Sequence, residues 1–558
     1  MKSESKKQNF LAGAAILSLS TIIVKVLGMF YKIPLKHLIG DANYGYFSTA
    51  YEIYTLLLTI SLTGLPVAMS RMISEARALN NGNQVRRIYR TAMMTYLVIG
   101  VVCSGVMMLF AKPLASDVMN NPGAVYSIFA LGPAVLFICI ASACRGFFQG
   151  QGNMVPTAVS QVIEALSKLF LGLAFAWIVV NYISGAGPLA SGASILGITI
   201  GAALSALYLL IARRRSARGL AALGGTAEST KKTFRTLLSI AVPITIGAAG
   251  FQLINVIDSA TIMARMLSAA QQVEAGAANI MGRLLEIGRA TGAEDYVQEA
   301  ADIAKGIYNY CQTIFNFPLA FISNIGAAII PAITNHLTLK NARGIRSVQN
   351  SSLRLMGLIA MPCMIGMLVL SEPIMAILGG YGGEKLWFAS ILLASLSLSI
   401  IVTSISNVAS AIMQAHNHVI IPVINTIIGG IMKVIFNYIL VGNPDIAILG
   451  APVGTFLCFL TIMVLNLFAM RRVLKDPPKV LPNIWRVGLA AILMGAAAYG
   501  SYFGLTHVFS GMVIPCFGAI VVAVIVYFLL VILLKAITYE DCLLLPKGEK
   551  IARILHIR

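Results

Sequence analysis

Fourteen mainly apolar stretches follow one another along the chain, at 10–34, 45–70, 90–111, 124–148, 155–181, 187–212, 236–264, 306–334, 352–371, 386–413, 419–441, 446–470, 485–505 and 511–534. About 20 such residues in a helix cross the hydrocarbon core of a bilayer. Peptide groups find no other bonding partner in lipid, so each stretch is expected to be a helix. Of the 558 residues, 58% are hydrophobic and 11% charged, and the mean hydropathy is +0.84; soluble domains carry about 25% charged residues. The expected fold is an all-α integral membrane protein of about 14 transmembrane helices. The opening "MKSESKKQNF" and the run after it have the outline of a secretion signal. That run is longer than a signal core and lacks a clear small-residue cleavage site, so 10–34 is expected to be the first membrane helix.

With alternate loops assigned to opposite sides, 30 of the 41 lysines and arginines fall on the side of the N-terminus, and Arg145 is counted there. Seven fall on the other side: Lys36, Lys112, Arg265, Arg283, Arg289, Lys305 and Lys385. Cytoplasmic loops collect positive charge, so both termini are expected in the cytoplasm. The net charge of +20 then reflects orientation and contact with anionic membrane lipids, and no nucleic acid is needed to explain it. Eight cysteines lie scattered, mostly in apolar segments, without ligand spacing. The segment 265–305 mixes acids and bases with Ala and Leu, which predicts one or two amphipathic surface helices capping the outer face.

Two passages look alike. In "FQGQGNMVPTAVSQVIEALSKLF" (148–170) and "MQAHNHVIIPVINTIIGGIMKVI" (413–435), a Gln at a loop is followed by a Pro and then by a Lys. The spacing from Gln149 to Lys168 equals that from Gln414 to Lys433. This constant offset makes helices 1–6 and 7–12 two pseudo-symmetric six-helix lobes, with two C-terminal helices outside the repeat. The expected division is 1–235 for the N-lobe with its cytoplasmic linker, 236–475 for the C-lobe including the 265–305 insertion, and 476–558 for the last two helices and a tail. Substrate sites of repeat-built transporters lie near the bilayer midplane.

Ionisable groups at membrane depth cost at least ~2.5 kcal/mol and face a bundle interior or a water-filled cavity. Lys25 and Lys32 lie in the first apolar stretch and Glu52 in the second. Lys25 and Glu52 fall at similar depths, as a structural ion pair or as part of a cavity for charged substrate. Lys168 and Lys433 fall at matching depths near the bilayer centre, and Glu164 precedes Lys168 by one helical turn, a favourable helix-face spacing. Gln252, Asn255 and Asp258 share one helix face, as do Asn309, Gln312 and Asn316. Such faces serve either a polar substrate or interhelical hydrogen bonding. The expected substrate-binding set is Lys25, Lys168, Lys433, Glu52, Glu164, Asn255, Asp258, Gln312 and Asn316.

Catalytic constellations are absent from the sequence: no Walker A loop, H-E-x-x-H, G-x-S-x-G or Asp-rich diphosphate motif occurs. The chain is therefore not expected to be an enzyme or to carry a cofactor or metal. Without a nucleotide site, any driving force is expected from an ion gradient, the membrane potential or substrate turnover.

The run "VKVLGMFYKIPLKHLIGDANYGYFSTAYEIYTLLLTISLTGLPVAMSRMISEA", with "CRGFFQGQGNMVPTAVSQVIE", "FNFPLAFISNIGAAIIPAIT" and the fourteen-helix layout, resembles the polysaccharide and lipid-linked oligosaccharide flippases of the MOP superfamily. The resemblance is to the bacterial branch of MurJ-type lipid II flippases and stage V sporulation protein B. It implies two lobes rocking around a central cationic cavity and a lipid-tail groove formed by the last two helices. The implied substrate is an undecaprenyl-diphosphate-linked sugar, turned from the inner to the outer leaflet of the bacterial plasma membrane, with membrane lipids and cell-wall synthesis proteins as partners. The product would serve cell-wall, polysaccharide or spore-cortex synthesis. Lys25 stands where lipid II flippases carry a cavity arginine. Tyr31 takes the place of a second arginine, Glu52 lies on a helix expected to bear Arg, and Gln312-Thr313 replaces an Asp-Arg pair before Phe317-Pro318.

A MATE-like cation-coupled drug or metabolite antiporter shares this layout but favours an acidic cavity, whereas four interior lysines here face three acids (Glu52, Glu164, Asp258). A membrane glycosyl or phosphoglycosyl transferase would need an acidic catalytic cluster, and a scaffold for wall assembly would tolerate changes at the cavity lysines. If the lysines carry an anionic substrate, Lys25→Ala and Lys433→Ala will abolish flipping in proteoliposomes while both variants still reach the membrane; near-normal flipping in both would refute the assignment.

Overall fold

The computed structural model describes residues 2–183, 187–220, 224–538 and 541. Cys542 and the basic tail residues Lys547, Lys550, Arg553 and Arg558 lie outside them. The described residues form helices and no strand, and twelve helical segments are long and apolar enough to cross a membrane. The other two expected spans, 10–34 and 306–334, run as continuous helices, Lys2–Ile39 and Tyr296–Thr338, without joining those twelve. The chain forms two compact units, one of Met1–Ala264 with Ala301–Gly306, the other of Arg265–Ala300 with Ile307–Arg558.

The first unit holds α1 (Lys2–Ile39), α2 (Asp41–Leu62), α3 (Gly64–Ala78), α4 (Gly82–Leu109), the short α5 (Ala111–Pro113), α6 (Val125–Gly150), α7 (Val155–Tyr182), α8 (Gly187–Leu220) and most of α9 (Thr230–Ala270). The single span expected over 45–70 is divided at Thr63 into α2 and α3. Thr55, Thr59 and Thr63 each turn a hydroxyl back to the carbonyl one turn earlier. Such back-bonding bends helices, and Pro66 then lacks a donor for the next turn. Gly64 sits at the break because α9 crosses there: a Cβ on it would lie 2.0 Å from the Ala241 carbonyl oxygen.

Close approach also fixes α7 against α8. A Cβ on Gly197 would lie 2.2 Å from the Gly172 amide nitrogen, and one on Gly172 would lie 2.8 Å from the Ser194 carbonyl oxygen. Small residues at a membrane helix crossing let backbones meet and gain dispersion contact where no hydrophobic effect operates.

The second unit holds α10 (Ile280–Arg289), α11 (Tyr296–Thr338) beyond Gly306, α12 (Ala342–Val369), α13 (Ser371–Gly379), α14 (Gly383–Ser397), α15 (Ser399–Ala415), α16 (Ile420–Val441), α17 (Gly450–Val473), α18 (Val480–Thr506) and α19 (Val513–Leu533). Its α18 and α19 join through small side chains, with Ala490, Ala491, Ala498 and Ala519 fully buried together, and Leu358, Met361 and Ile365 of α12 pack against them. The Arg354 guanidinium on α12 donates to Asp541 at 2.8 Å, to Asn483 at 2.9 Å and to Thr538 at 3.2 Å, pinning the end of the described chain to the bundle.

The internal repeat shows at its corners. Gly152 donates to the Gln149 carbonyl and Asn153 to that of Phe148; at the equivalent corner of the second passage, Asn417 donates to Gln414 and His418 to Met413. The left-handed residue of each corner is the equivalent one, Gly152 at φ 78° and Asn417 at φ 66°. A second pair recurs at nearly the same offset, where Asn81 caps α4 through Gln84 N and Asn341 caps α12 through Gly344 N, both at 3.0 Å. Asn capping an otherwise orphaned first turn explains why both helices start there.

The amphipathic helix expected within 265–305 is α10. Asn279 caps it at 2.8 Å through Gly282 N, and Met281, Leu284, Leu285 and Gly288 face inward. Arg283 stacks 3.9 Å from the Trp387 ring and donates to Glu384 at 3.1 Å, strapping the helix to α14. Burial raises the Glu299 carboxyl above its usual range at the start of α11, against the opposing pull of Lys385.

Gly197→Ala is expected to push α7 and α8 apart and cost about 1–3 kcal/mol of stability as an overpacked contact. Gly105→Ala, with open space around the new methyl, should leave unfolding unchanged; equal unfolding of the two variants in detergent would disprove the crossing's importance.

Candidate functional site

Aromatic residues at helical spacing on α2 build the site's floor. Tyr44, Phe47 and Tyr51 stack along one face with successive centroids 5.9 Å apart, and Tyr31 of α1 meets Phe47 edge-on at 5.9 Å. Tyr31 is fully buried, and its hydroxyl donates to the Ser194 carbonyl at 3.2 Å. Gly172 leaves room for that ring, since a Cβ there would lie 2.9 Å from it. The α7 lysine, Lys168, enters between the rings, with Nζ 4.9 Å from the Tyr31 centroid and 4.8 Å from that of Tyr51. Lys32 Nζ lies 5.6 Å from the Tyr51 centroid, within electrostatic reach of Lys168 and Glu52. Cation–π contact of a desolvated ammonium contributes about 2 kcal/mol, so the rings hold the two like charges near each other. Lys25 lies two helical turns before Lys32 on α1 and is more exposed.

The structure corrects three placements. Arg145, counted among the cytoplasmic loop charges, is buried in α6 and donates to Glu164 at 3.0 Å, Ser160 at 3.0 Å and Ser205 at 3.2 Å. Glu164 therefore bonds directly to Arg145 and acts on Lys168 through space. Lys36, placed in an outer loop, is buried in the last turn of α1 and pairs with Asp41 at 3.2 Å. Lys305, also placed outside, is 2% exposed, and its Nζ has no hydrogen-bond partner among the described residues; Glu52, Asp302 and Asp258 are close enough to act on its charge. The sequence hid these residues because each falls at the edge of an apolar run, where hydropathy alone reads a helix end.

The remaining sequence-selected residues divide between the units. Asn255 is half-buried one turn before the buried Asp258 on α9. In the second unit Lys433 is half-buried on α16, Gln312 is half-buried on α11, and Asn316 is exposed. Asn309 is buried and accepts from Thr313 at 3.1 Å through its backbone oxygen. Between α15, α16 and α17 a polar ladder runs from Asn425 to Asn466 at 2.8 Å and on to Ser410 at 3.0 Å; this is the interhelical bonding that an amide face also allowed. Among the described residues no group of three or more His, Cys, Asp or Glu is arranged to hold a metal ion.

Within the first unit, Lys25, Lys32, Lys168, Arg145 and Lys305 thus stand against Glu52, Glu164, Asp258 and Asp302. Arg145 engages Glu164, and the other three acids act on Lys305 through space. Lys168 and Lys32 share the Tyr51 ring, with Lys168 also over Tyr31.

Twelve helices long and apolar enough to cross a membrane, with cationic side chains buried among them, fit a multi-pass membrane protein of the transporter class. The profile of the family described as polysaccharide biosynthesis protein matches residues 10–336, and that described as lipid II flippase MurJ matches residues 299–530. The chain belongs to the polysaccharide biosynthesis protein family. It is 29% identical to lipid II flippase MurJ of Bacillus subtilis (strain 168) over 80% of each chain, and 23% identical to stage V sporulation protein B of the same organism over 85% of this chain and 86% of that one. Its fold matches a solved lipid II flippase MurJ in an inward closed conformation, with a TM-score of 0.67 at 14% identity over 93% of this chain and 99% of that one. An inward-facing multidrug resistance MATE family transporter matches with a TM-score of 0.61 at 15% identity over 82% of this chain and 98% of that one.

Arg145→Leu will strand Glu164 without its guanidinium and should destabilise the first unit by about 3 kcal/mol, whereas Arg145→Leu with Glu164→Leu should recover most of that loss. Denaturant unfolding of the purified variants in detergent checks this; a double variant no more stable than the single one would contradict the pairing.

Proposed function

We propose that this protein turns an undecaprenyl-diphosphate-linked sugar from the inner to the outer leaflet of the bacterial plasma membrane by alternating access, for cell-wall, polysaccharide or spore-cortex synthesis. The observation that carries the reading is Lys168, held between Tyr31 and Tyr51 with Lys32 beside it, while Arg145 engages the nearby Glu164. Ammonium groups away from water make strong charge-assisted hydrogen bonds to phosphate oxygens, as point charges that tolerate a moving ligand better than a rigid fork. Lys25 extends the cationic line along α1. Lys433 of the second unit is proposed as a further phosphate contact, and Asn255 and Asp258 of the first unit and Gln312 and Asn316 of the second as partners for sugar hydroxyls. The driving force is proposed to be an ion gradient or the membrane potential, with both termini in the cytoplasm.

The likeness to a MATE transporter supports a second reading, antiport of an organic cation. Lys168 and Lys32 weigh against it, because a cationic drug would have to displace two ammonium groups from the aromatic faces it needs.

Reconstituted wild type should expose a fluorescent undecaprenyl-diphosphate sugar on both leaflets to a membrane-impermeant quencher. Lys168→Ala should reduce that exchange at least tenfold, and Lys168→Arg should retain part of it. Unchanged exchange in Lys168→Ala, or uptake of an organic cation in place of lipid exchange, would move the assignment to the antiporter.

A further inference from the structure

Donors are left over where α6 turns into α7. Gln151 closes that corner, and its side-chain Nε2 is buried with no hydrogen-bond partner among the described residues. The same holds for Nε of Arg213, near the end of α8. Other contacts bring the two side chains to one place. Ser216, one turn after Arg213, donates to Gln151 Oε1 at 3.5 Å, and Arg77 from the end of α3 donates to the Gln151 backbone oxygen. The Arg213 guanidinium stacks on Tyr89, with Cζ 4.0 Å from the ring centroid. Tyr89 is itself buried, fixed edge-on by Phe147 at 5.2 Å and by a 3.6 Å contact of its hydroxyl with Cys144 Sγ. A guanidinium seated on a ring in this way is oriented and presents its N–H groups as a fork for an acceptor. Among the described residues no carboxylate pairs with it: the acids nearest in the chain, Glu75, Glu164 and Glu228, pair with Arg71, Arg145 and Lys232.

The equivalent corner of the second unit shows that the turn itself does not require these donors. There His416 stands in the place of Gln151 and turns its ring Nδ1 to the Ile412 carbonyl oxygen at 2.9 Å. With the Asn81 and Asn341 caps matched, Leu337 stands in the place of Arg77. We propose that the α6–α7 corner of the first unit binds one phosphate group, with Arg213 and Arg77 as its cationic contacts and the Gln151 amide as a neutral donor. Gln151 and Arg213 are each only partly covered as whole residues, so both can turn their donors to a ligand at the surface. Arginine forks suit phosphate because two parallel N–H groups meet two of its oxygens. The site is distinct from the tyrosine-lined lysines, since Lys168 lies about 20 Å beyond the start of α7 at a rise of about 1.5 Å per residue. Leu79 and Val155, close in the chain to Arg77 and Gln151, are exposed apolar residues that an anionic lipid would also cover; a soluble phosphate would use the donors alone.

The test follows hydrogen–deuterium exchange of the full chain in nanodiscs, in peptides covering 147–155 and 208–216. One arm titrates inorganic phosphate against phosphatidylcholine discs; the other raises the fraction of phosphatidylglycerol in the disc. Exchange in both peptides should slow in at least one arm, and the arm that responds identifies the source of the phosphate. In Arg213→Gln the amount of probe giving half the effect should rise about tenfold, the loss of one charged hydrogen bond, and Arg213→Lys should recover part of it. If Arg213→Gln does not fold, Arg77→Gln carries the same comparison. No slowing in either arm, slowing that persists unchanged in the folded arginine variants, or slowing that disappears in Lys168→Ala overturns the corner site, the last by returning the effect to the tyrosine-lined lysines.

Discussion

A charge carried into a bilayer has to find its counter-charge within the protein, and the interior of the first unit is arranged around that requirement. Arg145 reaches Glu164 and two serine hydroxyls, Lys36 reaches Asp41, and three carboxylates act on Lys305 through space. Lys168 meets the same need differently, with two tyrosine rings supplying negative potential without a formal charge. An aromatic seat leaves the ammonium's charge available to a ligand, where a carboxylate would have neutralised it. That difference separates the structural cations from those suited to binding.

Several helix contacts in this protein are set by close backbone approach. Gly197 against Gly172, Gly64 against Ala241 and Gly306 against Asp41 all bring chain against chain. Lipid offers no hydrophobic drive for association, so dispersion between closely fitted backbones takes its place. These crossings also set the site: Gly172 admits the Tyr31 ring, and Gly306 places Lys305. Ala or Val at such positions would therefore disturb the chemistry through the packing.

The fold was largely legible from hydropathy, since twelve of the fourteen expected spans reappear as long apolar helices and the internal repeat recurs in the hydrogen bonds of its corners. The division of 45–70 at Thr63 was not, because threonine back-bonding and the approach of α9 are invisible to an average over apolar residues. Of the site, Lys168, Glu52 and Asp258 were visible as charges inside apolar runs. Their partners were not: Tyr31 reads as a substituted arginine, Tyr51 as an ordinary apolar position, and Arg145 and Lys305 as loop charges.

The sequence by itself determined the solvent, the helices and the existence of buried charge, because each follows from local composition and from the backbone's need for hydrogen bonds in lipid. Only the tertiary structure decided which charge answers which. Arg145 and Glu164 come from successive membrane helices, Tyr31 and Lys168 from helices further apart in the chain, and Glu52 and Lys305 are separated by most of the first unit. Coulombic and cation–π energies depend on distance in space, and helix crossings fixed by glycine contacts set those distances.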